Sequence, residues 1–392
     1  MKTTLRKFMS LAIIAAVAAS CGDDDNNKPS SSFVANPAAF QGEINDGEVT
    51  LDGNTTYHLT GRIVVKDGAT LTIPAGTVIE GVGGTQAYIA VAQGGKINVN
   101  GTAAKPVIMT SGLATKKAGD WGGLVLCGKA PINRGTVTAQ AEVSDLTYGG
   151  TIANDNSGSI KYLVVKYSGA QFTPEKEFNG ISFFGVGSGT TVENVAVVHG
   201  SDDGFEFFGG TVNTTNLVSW GNEDDQFDWT EGWSGTNTNW YAKLDYGKGN
   251  RGIEADNFEF GYSNAPIANP TITNMSLVGP GSTADATAFA ENSALKLRRG
   301  TKGNFSNVVI ANWKVGFDVE NDETLANVTA GSLKATNVLF AADVPAKSKG
   351  KDNAGATVTV AAGIFTESAT ATGAGSGVTL PSWASTWVTT AP

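Results

Sequence analysis

Beyond the first twenty residues, the hydrophobic positions fall in short runs of β-formers such as Ile63-Val64-Val65, Leu71-Thr72-Ile73, Ile89-Ala90-Val91 and Leu124-Val125-Leu126. Gly, Asn, Asp or Pro separates the runs. No segment keeps a 3.6-residue apolar period with helix caps, so the pattern predicts an all-β chain of short strands and tight turns. A sandwich and a solenoid would both produce it, and an internal repeat decides between them. Asn194 to Phe207 overlays without a gap on Asn216 to Trp229, at an offset of 22 residues. Weaker copies surround Ser182, Glu254, Lys296 and Asp318; the offsets from Ser182 onward are 24, 22, 26, 42 and 22 residues, with 42 read as two periods. A period in the low twenties, with β-rich strands and no helix in the unit, predicts a parallel β-helix with one coil per repeat.

The repeat also predicts which side chains meet. Successive side chains of a strand point to opposite faces, so Phe205 and Phe207 face the interior and Glu206 faces out. The overlay then sets Ser182, Glu206, Asp228, Glu254, Lys296 and Asp318 in one outward column. Coils stack about 4.8 Å apart, and three ionised carboxylates at that spacing repel unless a proton or a cation intervenes. A hard cation with flexible oxygen coordination answers this requirement, calcium above all in an extracellular setting. Asp203, Glu206, Asp225, Asp228 and Glu254 are the expected ligands. Asn194, Asn216, Asn274 and Asn307 recur at matching places, which predicts a stack of amides along one corner.

Aromatic residues crowd beside this column. Trp229 overlays on the inward Phe207 and is expected to be buried, whereas Trp233, Trp240 and Tyr241 read as surface rings for stacking against a sugar. Arg251 and Lys296 are the candidate cationic ligand contacts. His199-Gly200-Ser201-Asp202-Asp203 superficially resembles a pectin-type hydrolase site, but the overlay explains it as a repeat corner, with Gly221 in place of His199.

Composition and charge narrow the setting. The 50 glycines and 16% charged residues suit many corners and strands with one buried face. Two cysteines and two histidines exclude a disulfide framework and a Cys/His zinc site. Cys127, in an apolar run, is expected to be a small buried hydrophobe. Lys2, Arg6 and Lys7, an apolar run from Phe8 to Val17 and small residues before Cys21 read as a signal peptide. Its removal takes the formal charge from −10 to −13, which argues against nucleic acid as a partner. The residues around Cys21 resemble a bacterial lipobox, implying a lipidated cysteine, a palmitate-type anchor and a membrane as partner. The acidic stretch Asp23-Asp24-Asp25 behind it resembles the surface-export signal of Bacteroidota lipoproteins, implying an outer-membrane protein facing outward. The expected organisation is therefore residues 1–20 signal peptide, 21–40 lipidated cysteine and flexible acidic tether, 41–345 β-helix, and 346–392 a further strand and a cap over the open end of the rod.

The segments at 71–81 (LTIPAGTVIEG), 120–133 (DWGGLVLCGKAPIN), 185–213 and 221–229 (GNEDDQFDW) resemble a family of secreted or lipid-anchored bacterial proteins frequent in Bacteroidota. The resemblance spans roughly residues 50 to 340. It implies a right-handed parallel β-helix of the pectin-lyase-like type and carries no reaction with it. The expected function is binding of an extended ligand, a polysaccharide or a partner protein of the outer membrane, without catalysis. A calcium-dependent polysaccharide lyase or glycoside hydrolase is the alternative, and a structural or adhesive surface component is a third.

Overall fold

The computed structural model describes residues 30–174, 176–375 and 377–388; the signal peptide, Cys21 and the first part of the tether lie outside the described residues. From Phe40–Ile44 onward the chain winds as a right-handed parallel β-helix, and almost every strand pairs in parallel with its equivalent one coil later. Among the described residues no helix is long and apolar enough to cross a membrane.

Two strand stacks organise the middle of the rod. The first holds Gly158–Lys166, Thr191–Val198, Thr214–Trp220, Thr236–Lys243, Thr271–Val278, Gly303–Ala311 and Leu333–Ala342. The second holds Leu124–Cys127, Ile181–Phe184, Phe205–Phe208, Phe227–Thr230, Arg251–Asp256, Ser293–Arg298, Val315–Glu320 and Ala346–Lys351. Each member of the first stack bends at one residue with left-handed backbone, and in six coils that residue is asparagine: Asn194, Asn216, Asn239, Asn274, Asn307 and Asn337, with φ of 54–63°. Asparagine tolerates this region because its short amide can bond locally. Here the amides also bond to one another. Asn216 donates to Asn194, Asn239 to Asn216, Asn274 to Asn239 and Asn307 to Asn274, at 2.8–2.9 Å. The asparagines thus sit inside bent strands and form the stack of amides the sequence predicts.

The interior is a column of stacked rings. Phe183 lies on Phe207 at 4.9 Å, Phe207 on Trp233 at 4.1 Å, and Phe227 on Trp240 at 4.2 Å. Trp229 is also fully buried, as the overlay required. Cys127 is buried too, and burial pushes its thiol up to about 12.

Three expectations change. Glu254 pairs directly with Lys296, so the 42-residue offset is one coil with a long insertion, not two periods. The β-helix continues past residue 345, because Ala346–Lys351 pairs with Val315–Glu320 and Phe365–Glu367 pairs with Leu333–Ala342. The expected cap divides: its first part closes the end of the rod and its last residues do not. That end is filled by Val328 of the helix Asp322–Thr329 together with Val360, Ile364 and Phe365. Residues 370–375 and 377–388 instead run back along the side, from Thr372 on Asn307 (2.8 Å), past Gly377 on Ser276 (2.6 Å) and Val378 on Tyr241 (3.2 Å), to Trp387 against Tyr162 (5.9 Å). The apolar outer face of Val164, Ala196, Val218 and Val278 explains this course, since the strap buries it.

Asn239→Ala removes one amide link to each neighbouring coil and places a Cβ without local bonding in left-handed backbone. Thermal melting should register a loss of about 2–3 kcal/mol, and Asn239→Gly should lose less. Trp387→Ala should cost about 3 kcal/mol; an unchanged melting temperature would mean the strap contributes nothing to the rod.

Candidate cation-binding cleft

The second strand stack carries the outward column in register. Ser182 pairs with Glu206, Glu206 with Asp228, Asp228 with Glu254, Glu254 with Lys296, Lys296 with Asp318 and Asp318 with Lys349. Upstream the same column is apolar, through Ala90 and Val125.

Two insertions wall this column into a cleft of about 350 Å³. One is an arm at residues 129–149. Backbone bonds from Ala130 to Gly185 (2.8 Å), from Gly210 to Pro131 (2.8 Å) and from Asn133 to Glu231 (3.1 Å) tie it to the coil corners. Glycine is required at 210, which has a φ of 83° and where an added Cβ would lie 2.4 Å from the Val186 carbonyl oxygen. Ile132, Val143 and Tyr148 then pack on Phe184 and Phe208. Buried Glu231 anchors the arm by accepting from Arg134 (2.7 Å) and Tyr148 (2.8 Å). The second wall comes from the loop after Arg251–Asp256, with Phe258 and Glu259, and from Arg298 and Arg299.

The carboxylates converge on the cleft floor and the adjoining corner. Asp203, Glu206 and Asp228 can bring one oxygen each within 4.8 Å of one another, as can Asp225, Asp228 and Glu254, and also Asp202, Asp203 and Asp224. All five carboxylates nominated from the sequence therefore meet, in two triads that share Asp228. Asp202 and Asp224 extend the row at the corner. Burial, then the surrounding carboxylates, holds Asp203, Glu206 and Asp228 well above the usual range. Asp225 is also held well above it by burial, against the opposing pull of Arg251. Asn179 donates to Glu206 at 2.6 Å and the Asp225 amide to Asp203 at 2.9 Å. Oδ1 of Asp225 and Oδ1 of Asp228 are buried and accept no hydrogen bond from any described residue. Asp225 is 1% exposed, so its free oxygen carries a desolvation cost that bound positive charge would offset.

The downstream half of the column behaves differently, because its charges alternate. Lys296 contacts Glu320 at 2.7 Å and Asp318 at 3.2 Å, and Lys349 contacts Asp318 at 3.0 Å. One strand position away, Arg298 binds Asp256 at 2.8 Å and Glu254 at 2.9 Å. Each of these charges has an opposite neighbour. Glu206 and Asp228 have none within ion-pair reach among the described residues. An all-oxygen donor set that includes two unbalanced carboxylates and two orphaned buried oxygens fits calcium.

The other nominated contacts are corrected by the structure. Trp233 and Trp240 are fully buried in the interior ring stack and Tyr241 lies under the C-terminal strap, so none is a surface platform. The reason is register: Trp240 pairs with the inward Leu217 and Tyr241 with Val218. Arg251 is buried and engaged with Asp225 (2.9 Å), Glu254 (3.0 Å) and Glu291 (2.7 Å). Burial pulls the Lys296 ammonium down, but Glu320, Asp318 and Glu291 outweigh it and hold the group above its ordinary value. Both cations balance the carboxylate row and do not face a ligand freely. Sequence reasoning missed Arg134, Glu142 and Phe258, which lie on insertions without a repeat to place them, and Glu231, which stands at the coil corner just beyond the overlaid residues.

Residues 42–388 match the family described as pectate-lyase-like β-helix domain. No curated protein matches the sequence. Among solved structures, a crystal structure of pectate lyase Pel9A is similar at 15% identity and a TM-score of 0.38, over 74% of this chain and 66% of that one. With nearly the whole described chain matched, the protein belongs to the pectate-lyase-like β-helix domain family.

Proposed function

We propose that this protein is a lipid-anchored, outward-facing outer-membrane β-helix that holds calcium on the carboxylate row of Asp203, Glu206, Asp225, Asp228 and Glu254, and through it binds an extended anionic polysaccharide without cleaving it. The observation that carries the reading is the unbalanced pair Glu206–Asp228, in register with Glu254 and beside the orphaned Asp225 oxygen, set in a column whose downstream half alternates its charges. A cation bound there keeps coordination positions open toward the cleft, where a uronate carboxylate can complete its shell. Arg134, Arg298 and Arg299 also line the walls, each paired with a carboxylate of the protein itself. The family's name supports a polysaccharide as ligand class. The anchor rests on the signal-peptide pattern and Cys21.

Binding is favoured over cleavage by the state of the basic groups. A base must give up its proton to act, and Lys296 is held protonated by its carboxylate partners. Arg251 is likewise held above its ordinary value: burial opposes, but Asp225 and Glu254 prevail. Incubation with polygalacturonate and calcium should give retention without ultraviolet-absorbing unsaturated products or new reducing ends. Appearance of either product would replace this reading with an enzymatic one.

Calcium at about a hundredfold excess over its Kd should raise stability by about 2.7 kcal/mol, and a chelator should reverse it; melting curves that ignore both would refute the metal. In chelator, stability should fall as pH rises from about 4 through the raised carboxylate range, because the folded state binds more protons than the unfolded chain there. Calcium should flatten that slope. Asp228→Asn should melt higher than the parent in chelator, through relief of repulsion, and lose the calcium gain.

A further inference from the structure

The loop at 257–268 is fixed from below and carries an aromatic ring into solvent above. Asn257 is fully buried; its Oδ1 accepts from Asn133 Nδ2 and the Ala268 amide, both at 2.8 Å. Its Nδ2 donates to the carbonyls of Asn264 (3.0 Å) and Tyr262 (3.1 Å), and Asn264 donates back to the Asn133 carbonyl (2.9 Å). This knot joins the loop to the arm across the end of the cleft. Phe258, buried at the cleft wall under Arg134, packs edge-on against Phe260 at 5.6 Å. Phe260 itself is 77% exposed. A phenylalanine held out by a locked backbone has its orientation set before any ligand arrives, which lowers the ordering cost of binding.

We propose that Phe260 is a saccharide-stacking platform at the mouth of the cleft: its ring takes the apolar face of a pyranose whose neighbouring uronate reaches the carboxylate-held cation. The assignment rests on the cation-bridged reading of the cleft and adds the contact that distinguishes a sugar polymer from a free carboxylate. Interleaved aromatic and charged contacts suit a pyranuronate, which has apolar C–H faces and a carboxylate on one ring. A second copy of this chain or a peptide would not require a ring at this position.

The test uses the mature chain from Cys21 onward with polygalacturonate as probe, dextran as neutral control, and calcium titrated separately by calorimetry. Phe260→Ala should weaken polygalacturonate binding roughly tenfold, with calcium affinity and melting temperature unchanged. Phe260→Trp should bind at least as well as the parent, and Phe260→Leu as poorly as Phe260→Ala. Parental affinity in Phe260→Ala would overturn the platform while leaving the cation reading intact. Parental affinity in Phe260→Leu would overturn stacking in favour of simple apolar burial. A parent chain that binds calcium but no uronate polymer would overturn the platform and the polysaccharide half of the function together, and loss of the calcium signal in the parent would overturn the cation reading alone if Phe260→Ala still weakened retention.

Discussion

Stacking of coils in register forces every side chain to lie against its own equivalent about 4.8 Å away. The rest of the molecule answers to that constraint. Where the equivalent residues are aromatic, like against like is favourable, and Phe183 stacks on Phe207 and Phe205 on Phe227. Where they are asparagines, amides bond from coil to coil, so a residue otherwise disfavoured within a strand becomes the joint of six coils. Where they are carboxylates, the same geometry is repulsive.

The outward column shows two solutions to this repulsion side by side. From Glu254 to Lys349 the signs alternate and the ion pairs close among the protein's own groups. From Glu206 to Glu254 they do not, and the cost is met by neutral carboxyl groups or by a bound cation. The contrast within a single column separates a site from an ordinary charged surface, and it also explains why Arg251 and Lys296 are poor candidates for direct ligand contact. Their charges are already used by the row.

Much of this was legible in the sequence because a repeat turns linear offsets into spatial neighbours. The 22-residue overlay put Glu206 above Asp228 and buried Trp229, and both placements hold. The same logic could have placed Trp240: Asn239-Trp240-Tyr241 repeats Asn216-Leu217-Val218, and Asn239 is the next rung of the ladder. Reading that segment as an insertion, on account of its aromatic crowding, turned an interior position into a surface one. The arm at 129–149 and the loop around Asn257 were out of reach for a different reason. They pack through contacts that no repeat places, such as Glu231 with Arg134 and Asn133 with Asn257. The 42-residue offset misled because a period cannot tell a skipped coil from a long corner.

The C-terminal strap alters how a solenoid of this kind holds together. A stack of coils is quasi-one-dimensional: each coil answers only to its neighbours, and an end can fray without disturbing the middle. By returning from Asn307 to Tyr162, the last residues of the chain place a side rail across six successive coils. Opening any of them then strains the rail over all. The carboxylate row lies within that span, so its geometry is held by a long-range tie and not by nearest neighbours alone.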